Sequence, residues 1–113
     1  MGFITLKWRN NRIKVNTADI VYAESCNRHL IICTCDGKKT EIVGKLGEFF
    51  KLLPAELFIC CHKSFAVNLK YIAEFNEYGV VMTNGETLPV SVRKKSETLR
   101  SFDEFCTGRA NKK

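Results

Sequence analysis

The sequence predicts a mainly β fold with one or two short helices, and three observations carry that prediction. Short runs of alternating or β-branched residues recur between residues 3 and 92, Asp36-Gly37 and Asn84-Gly85 separate such runs as hairpin signals, and only two stretches show helical spacing. With 113 residues, 45% of them hydrophobic, the chain suits a single domain at 1–106 followed by a flexible basic tail at 107–113.

The elements follow in order. Residues 3–8 (F-I-T-L-K-W) alternate, and residues 12–16 (R-I-K-V-N) do so again after the turn-prone Asn10 and Asn11, which predicts a first hairpin. Residues 20–24 (I-V-Y-A-E) and 30–34 (L-I-I-C-T) read as strands joined by a polar tip at 25–29. Asp36-Gly37 predicts a type I′ turn between 30–35 and 38–43, because Gly supplies positive φ cheaply. In 45–53, Leu46, Phe49, Phe50 and Leu53 fall at i, i+3, i+4 and i+7, one apolar helix face that Pro54 ends. Residues 57–61 predict a short strand, while 62–68 lack alternation and predict a turn or a single helical turn. Residues 71–75, 80–83 and 87–92 predict a meander. Ser91 is placed to cap a last helix whose stripe is Leu99, Phe102 and Cys106.

Composition excludes several classes. No apolar run approaches the roughly 20 residues of a membrane-spanning helix, and the start of the chain lacks the pattern of a signal peptide, so a cytoplasmic location with reduced thiols is expected. The six cysteines (Cys26, Cys33, Cys35, Cys60, Cys61 and Cys106) include no C-x-x-C, and neither a metal nor a cofactor is expected. Eighteen Lys and Arg against twelve Asp and Glu give a net charge of +6, and from Pro89 onward seven basic residues face three acids. The cluster Arg93, Lys94 and Lys95 suits phosphate contacts. The alternative reading of this charge is an ordinary basic surface.

Three strings, D-I-V-Y-A-E-S at 19–25, C-H-K-S-F-A-V-N-L-K-Y-I at 61–72 and P-V-S-V-R-K at 89–94, resemble the LytTR family in order and spacing. The similarity runs from about Ile4 to Phe105, and H-x-S-F-x-V-N is its most specific part. The resemblance implies an elongated arrangement of small antiparallel sheets whose loops enter successive major grooves of double-stranded DNA. It also implies transcriptional regulation, with two copies on repeated sites and, if the chain is an excised output domain, a receiver domain in cis. One domain of this size holds no receiver of its own.

Carried over by position, the resemblance marks three DNA-binding loops. Asn27, Arg28 and His29 offer an amide, a guanidinium and an imidazole to base edges or phosphates. For His29 alone, a packed strand-start residue is the competing reading. In the second loop His62, Lys63 and Ser64 precede Phe65, whose ring anchors the turn; Lys63 is the reader, and His62 is either a contact or a support that hydrogen-bonds its own loop. Asn68 reads as a turn stabiliser. In the third loop Arg93, at the end of a strand at 88–92, is placed for bidentate contact with guanine, while Lys94 and Lys95 either neutralise phosphate or form a solvated helix start.

Two other functions compete. Catalysis would pair Cys60 or Cys61 with His62 or His29, but neighbours on a strand face opposite ways and no Gly-rich oxyanion elbow accompanies them, so no enzyme is expected. An RNA-binding or protein-interaction β-domain is the non-enzymatic rival; the aromatic motif of RNA-recognition sheets is missing.

Overall fold

Ten strands build three antiparallel sheets in this computed structural model, which describes residues 2–108. β1 (Phe3–Trp8) and β2 (Asn11–Asn16) form a ribbon. The central sheet holds β3 (Ile20–Cys26), β4 (His29–Thr34), β5 (Lys39–Val43), β6 (Phe58–His62) and β7 (Phe65–Asn68) in the order β5-β4-β3-β7-β6. The third sheet, ordered β10-β9-β8, holds β8 (Ile72–Asn76), β9 (Gly79–Met82) and β10 (Thr87–Leu88). α1 (Leu46–Phe50) links β5 to β6, and α2 (Lys95–Asp103) follows the third sheet. The domain measures 44 × 31 × 24 Å, elongated as the resemblance implies.

The central sheet separates two cores. On one face Ile20, Ala23, Leu30 and Ile32 pack with Leu6 of the ribbon and with Leu46 and Phe49 of α1. On the other, Tyr22, Cys61 and Val67 pack with Val80, Met82 and Leu88 of the third sheet. Burial on both faces explains why these strands read as near-continuous apolar runs. A polar clasp joins the second pair of layers: the Tyr22 hydroxyl donates to Glu86 Oε2 at 3.2 Å, and Lys39 Nζ meets the same oxygen at 3.2 Å.

That burial also corrects the turn expected at 62–68. Residues Phe65–Asn68 are a strand between β3 and β6, with Ala66, Val67 and Asn68 all buried, so no period-2 alternation was there to see. Asn68 does stabilise a turn: its Nδ2 donates to the Ile20 carbonyl and its Oδ1 accepts from the Lys70 N–H, both at 2.9 Å. Asn16 repeats the second bond to Ala18 at 2.9 Å, so two strand-to-strand corners share one device.

Other expectations shift in detail. The first hairpin turns at Arg9 and Asn10, one residue earlier than expected. α1 stops at Phe50, and 3₁₀-type bonds from Leu52 to Phe49 and Leu53 to Phe50 carry the chain to Pro54. Neither Gly hairpin is type I′: only Gly37 and Gly85 have positive φ, and the Gly37–Thr34 and Gly85–Met82 bonds make each a three-residue loop that ends in a single left-handed Gly. The strand expected over 87–92 ends at Leu88, since Pro89 brings no N–H, and Val92–Lys94 form a 3₁₀ turn. Ser91 makes no side-chain cap there.

Along α2 and the turn that follows it, the inward stripe is buried Thr98 with half-buried Phe102 and Phe105, whereas Leu99 is 42% exposed and Cys106 exposed. The helix is therefore rotated by about one residue from the expected face, and a π-helical turn Glu104–Gly108 follows it. Of the expected basic tail at 107–113, residues 109–113 lie outside the described residues.

Candidate nucleic-acid interface

The first loop is a two-residue hairpin. Cys26 pairs with His29, so only Asn27 and Arg28 form the turn, and both have positive φ, 48° and 70°. This is the type I′ pattern, which ordinarily selects Asn and Gly; Asn suits it, but Arg at such φ carries a steric cost of about 1–2 kcal/mol. Both side chains are exposed. Strained residues of this kind cluster at functional sites. His29 starts β4, half-buried, with its Nδ1 2.9 Å from Glu41 Oε2 on β5, so the ring is held by a neighbouring strand.

The second loop turns at Lys63 and Ser64 between β6 and β7, with Lys63 exposed. His62 Nδ1 accepts from the Ser64 N–H at 3.1 Å, and the His62 ring meets the Phe65 ring edge-on at 5.9 Å. His62 thus closes its own loop. With Nδ1 accepting, the neutral ring carries its proton on Nε2, leaving that N–H as a donor. A bulge places Cys61 as the extra residue of β6, fully buried, its Sγ 3.4 Å from the Pro89 carbonyl.

The third segment is pinned to the second. The Ser91 N–H donates to the Cys61 carbonyl at 2.9 Å, and Lys94 N–H returns to Ser91 at 2.9 Å, which fixes the 3₁₀ turn bearing Arg93. Arg93 is exposed, Lys94 lies 3.7 Å from Glu97, and exposed Lys95 opens α2. Two lysines at a helix start oppose the helix dipole, a local cost that an anion there would relieve.

Backbone bonds bring the loops to one end of the central sheet. Glu24 pairs with Phe65 and the Ser25 N–H donates to the Ser64 carbonyl at 2.8 Å, which sets the first two tips side by side. His62, Lys63, Arg93 and Lys94 line one open cleft of about 470 Å³ whose floor includes Leu46 and Cys60. Residues from the second and third segments therefore share one cleft, and the first tip lies beside the second.

The family model described as LytTr DNA-binding domain matches residues 10–102. The chain belongs to the LytTR family. Its relatives include the sensory transduction protein LytT of Bacillus subtilis, 39% identical over 82 residues, which are 68% of this chain and 34% of that protein. The LytT of Enterococcus faecalis is 31% identical over 86 residues, covering 72% of this chain and 36% of the relative. The chain thus spans about a third of the length of these curated relatives. Among solved structures, the LytTr DNA-binding domain of a Bacillus cereus protein described as a methyl-accepting/DNA response regulator superposes with a TM-score of 0.75 at 28% identity, covering 89% of this chain and 96% of that one.

LytTR domains are a DNA-binding and not a catalytic family, and the cysteines of this member suit that. Burial pushes the Cys61 thiol up to about 12 and raises Cys60 as well, so neither offers a thiolate near neutral pH. No helix among the described residues is long and apolar enough to cross a membrane. Two residues beside the candidate contacts of this LytTR chain were not picked out from the sequence. Glu41 holds His29 across a strand pair that is visible only once β4 and β5 are in register. Val92, 83% exposed beside Arg93, was hidden inside a run that reads as a strand.

Proposed function

We propose that this LytTR chain binds double-stranded DNA sequence-specifically, without catalysis, as the output domain of a bacterial transcriptional regulator. The loops at 27–29, 62–64 and 93–95 enter successive major grooves, and two copies occupy repeated sites. If the chain is part of a longer protein, the regulatory input comes from a receiver domain in cis, in keeping with relatives described as sensory transduction proteins. The observation that carries the reading is the convergence of the three polar tips through the Ser25–Ser64 and Ser91–Cys61 backbone bonds.

The residues divide by chemistry. Arg93 and Lys63 suit guanine O6 and N7; Asn27 suits an adenine edge; Arg28, Lys94 and Lys95 suit phosphates. His29, held by Glu41, and His62, bonded to Ser64, position their loops, and His62 retains its Nε2 N–H for a contact. Val92 offers apolar surface of the kind that meets a thymine methyl.

The test is affinity, at several salt concentrations, for a duplex enriched from a random pool, a scrambled duplex and a structured RNA. Strong preference for the enriched duplex is expected; equal, salt-sensitive binding to all three leaves only a basic β-domain. Lys95→Ala is expected to weaken both duplexes alike and to flatten the salt slope by about 1. An unchanged slope removes Lys95 from the phosphate set.

Arg28→Gly separates function from stability. Relief of the left-handed strain and the greater unfolded-state freedom of Gly nearly offset, so thermal stability is expected to hold or to rise by about 1 kcal/mol at most. DNA affinity is expected to fall several-fold in the same protein. Retained affinity takes Arg28 out of the interface.

A further inference from the structure

The β1–β2 ribbon carries a charge that the three loops do not use. Residues 3–16 contain Lys7, Arg9, Arg12 and Lys14 and no acid, four positive charges in a chain whose net charge is +6. The ribbon's inner face is committed to the first core through Leu6, Ile4, Ile13 and Val15. Its outer face presents Lys7, Arg12 and Lys14, all exposed. Lys7 and Arg12 are directly paired in the ladder. Among the described residues, no carboxylate lies within ion-pair distance of either. Like charges placed opposite one another destabilise a hairpin, so this arrangement costs stability in the unbound chain.

We propose that the outer face of this ribbon is a second contact with the DNA backbone, in which Lys7 and Arg12 neutralise phosphates flanking the bases approached by the 27–29 tip; Lys14 lies toward the other end of β5, in a pocket with Asp36 and Lys38. The inference rests on the DNA-binding reading above. β1 packs against β5, the edge strand whose Val43 pairs with His29, so the ribbon lies on the flank of the sheet that carries the first tip. With no acid within residues 3–16, the Lys7–Arg12 pair suits a uniform polyanion, whereas Asp19 and Asp36 lie beside Lys14 at the other end; the exposed Phe3 ring is covered by Lys14 Nζ at 4.6 Å from its centroid. A protein partner ordinarily needs an apolar centre, which this face lacks.

Two variants test it, each bound to the enriched duplex with and without about one helical turn of added flank on each side. In Lys7→Gln/Arg12→Gln, loss of two phosphate contacts is expected to reduce the salt slope by about 1 to 2 and to weaken binding roughly tenfold at low salt. The advantage that the wild type gains from the flanks is expected to disappear, with the preference for enriched over scrambled duplex unchanged. Arg12→Glu, which sets opposite charges across the ladder, is expected to keep or raise the thermal midpoint while weakening DNA binding further. Unchanged slope and affinity in folded Lys7→Gln/Arg12→Gln overturn the proposal. If the wild type shows no preference for the enriched duplex, the sequence-specific reading fails instead, and the ribbon is still scored by its slope on the scrambled duplex.

Discussion

Arg93→Ala is expected to lower affinity for the enriched duplex by about 1–3 kcal/mol, roughly 5- to 150-fold, and to relax the preference at one base pair. The guanidinium is exposed, so its removal takes little from the core. Its backbone is rigidly placed: Ser91 bonds Cys61, Lys94 bonds Ser91, and Pro89 sits over the Cys61 sulfur. A long side chain on a fixed base loses less freedom on binding, and a bidentate Arg to guanine discriminates by that order of energy. Affinity for duplexes carrying each base at every guanine of the site checks this. Equal loss on all sequences would make Arg93 a phosphate contact.

Gly79→Ala is expected to cost about 3 kcal/mol of stability or more, lowering the thermal midpoint by roughly 10–20 °C. Gly79 has φ +136°, which side-chain-bearing residues rarely adopt, and a Cβ there would run into the Leu88 carbonyl and the start of Pro89. Both are backbone, so neither can step aside as a flexible side chain would. The close approach brings β10 down on β9 and launches Pro89 toward Cys61, upstream of Arg93. At a temperature where the variant is still folded, a reduced discrimination at the Arg93 base is expected as well. Thermal unfolding followed by circular dichroism gives the first answer; a midpoint within a few degrees of wild type would show that the third sheet accommodates the methyl.

Much of the fold was legible because its signals are local. The ribbon, the strands beside Asp36-Gly37 and the apolar face of α1 follow from periods of two and 3.6 residues. β7 was not legible, because a strand buried on both faces has no alternation to detect. The stripe of α2 was misplaced by one residue because its buried face begins with Thr98, a polar type that a hydrophobic count passes over. Turn type was hidden for a similar reason: the strongest Gly signals mark one turn geometry, while the type I′ turn falls on Asn27 and Arg28.

The candidate site was legible in pieces. Each polar tip stands out between apolar strands, and the LytTR resemblance selected the same three segments. Their convergence depends on β3 pairing with β7, about forty residues apart, which no local pattern encodes. The same holds for His29 with Glu41, a partnership across neighbouring strands. The ribbon charge was visible in composition, but only the register shows Lys7 facing Arg12.

The central claim is that loops read base edges in the major groove. Replacing each guanine of the enriched duplex in turn by 7-deazaguanine removes the N7 acceptor while leaving Watson–Crick pairing intact, so affinity measured position by position tests that claim directly. The account expects losses confined to clusters about one helical turn apart, with one cluster no longer sensitive in Arg93→Ala. Uniform tolerance of the substitution at every guanine would contradict it.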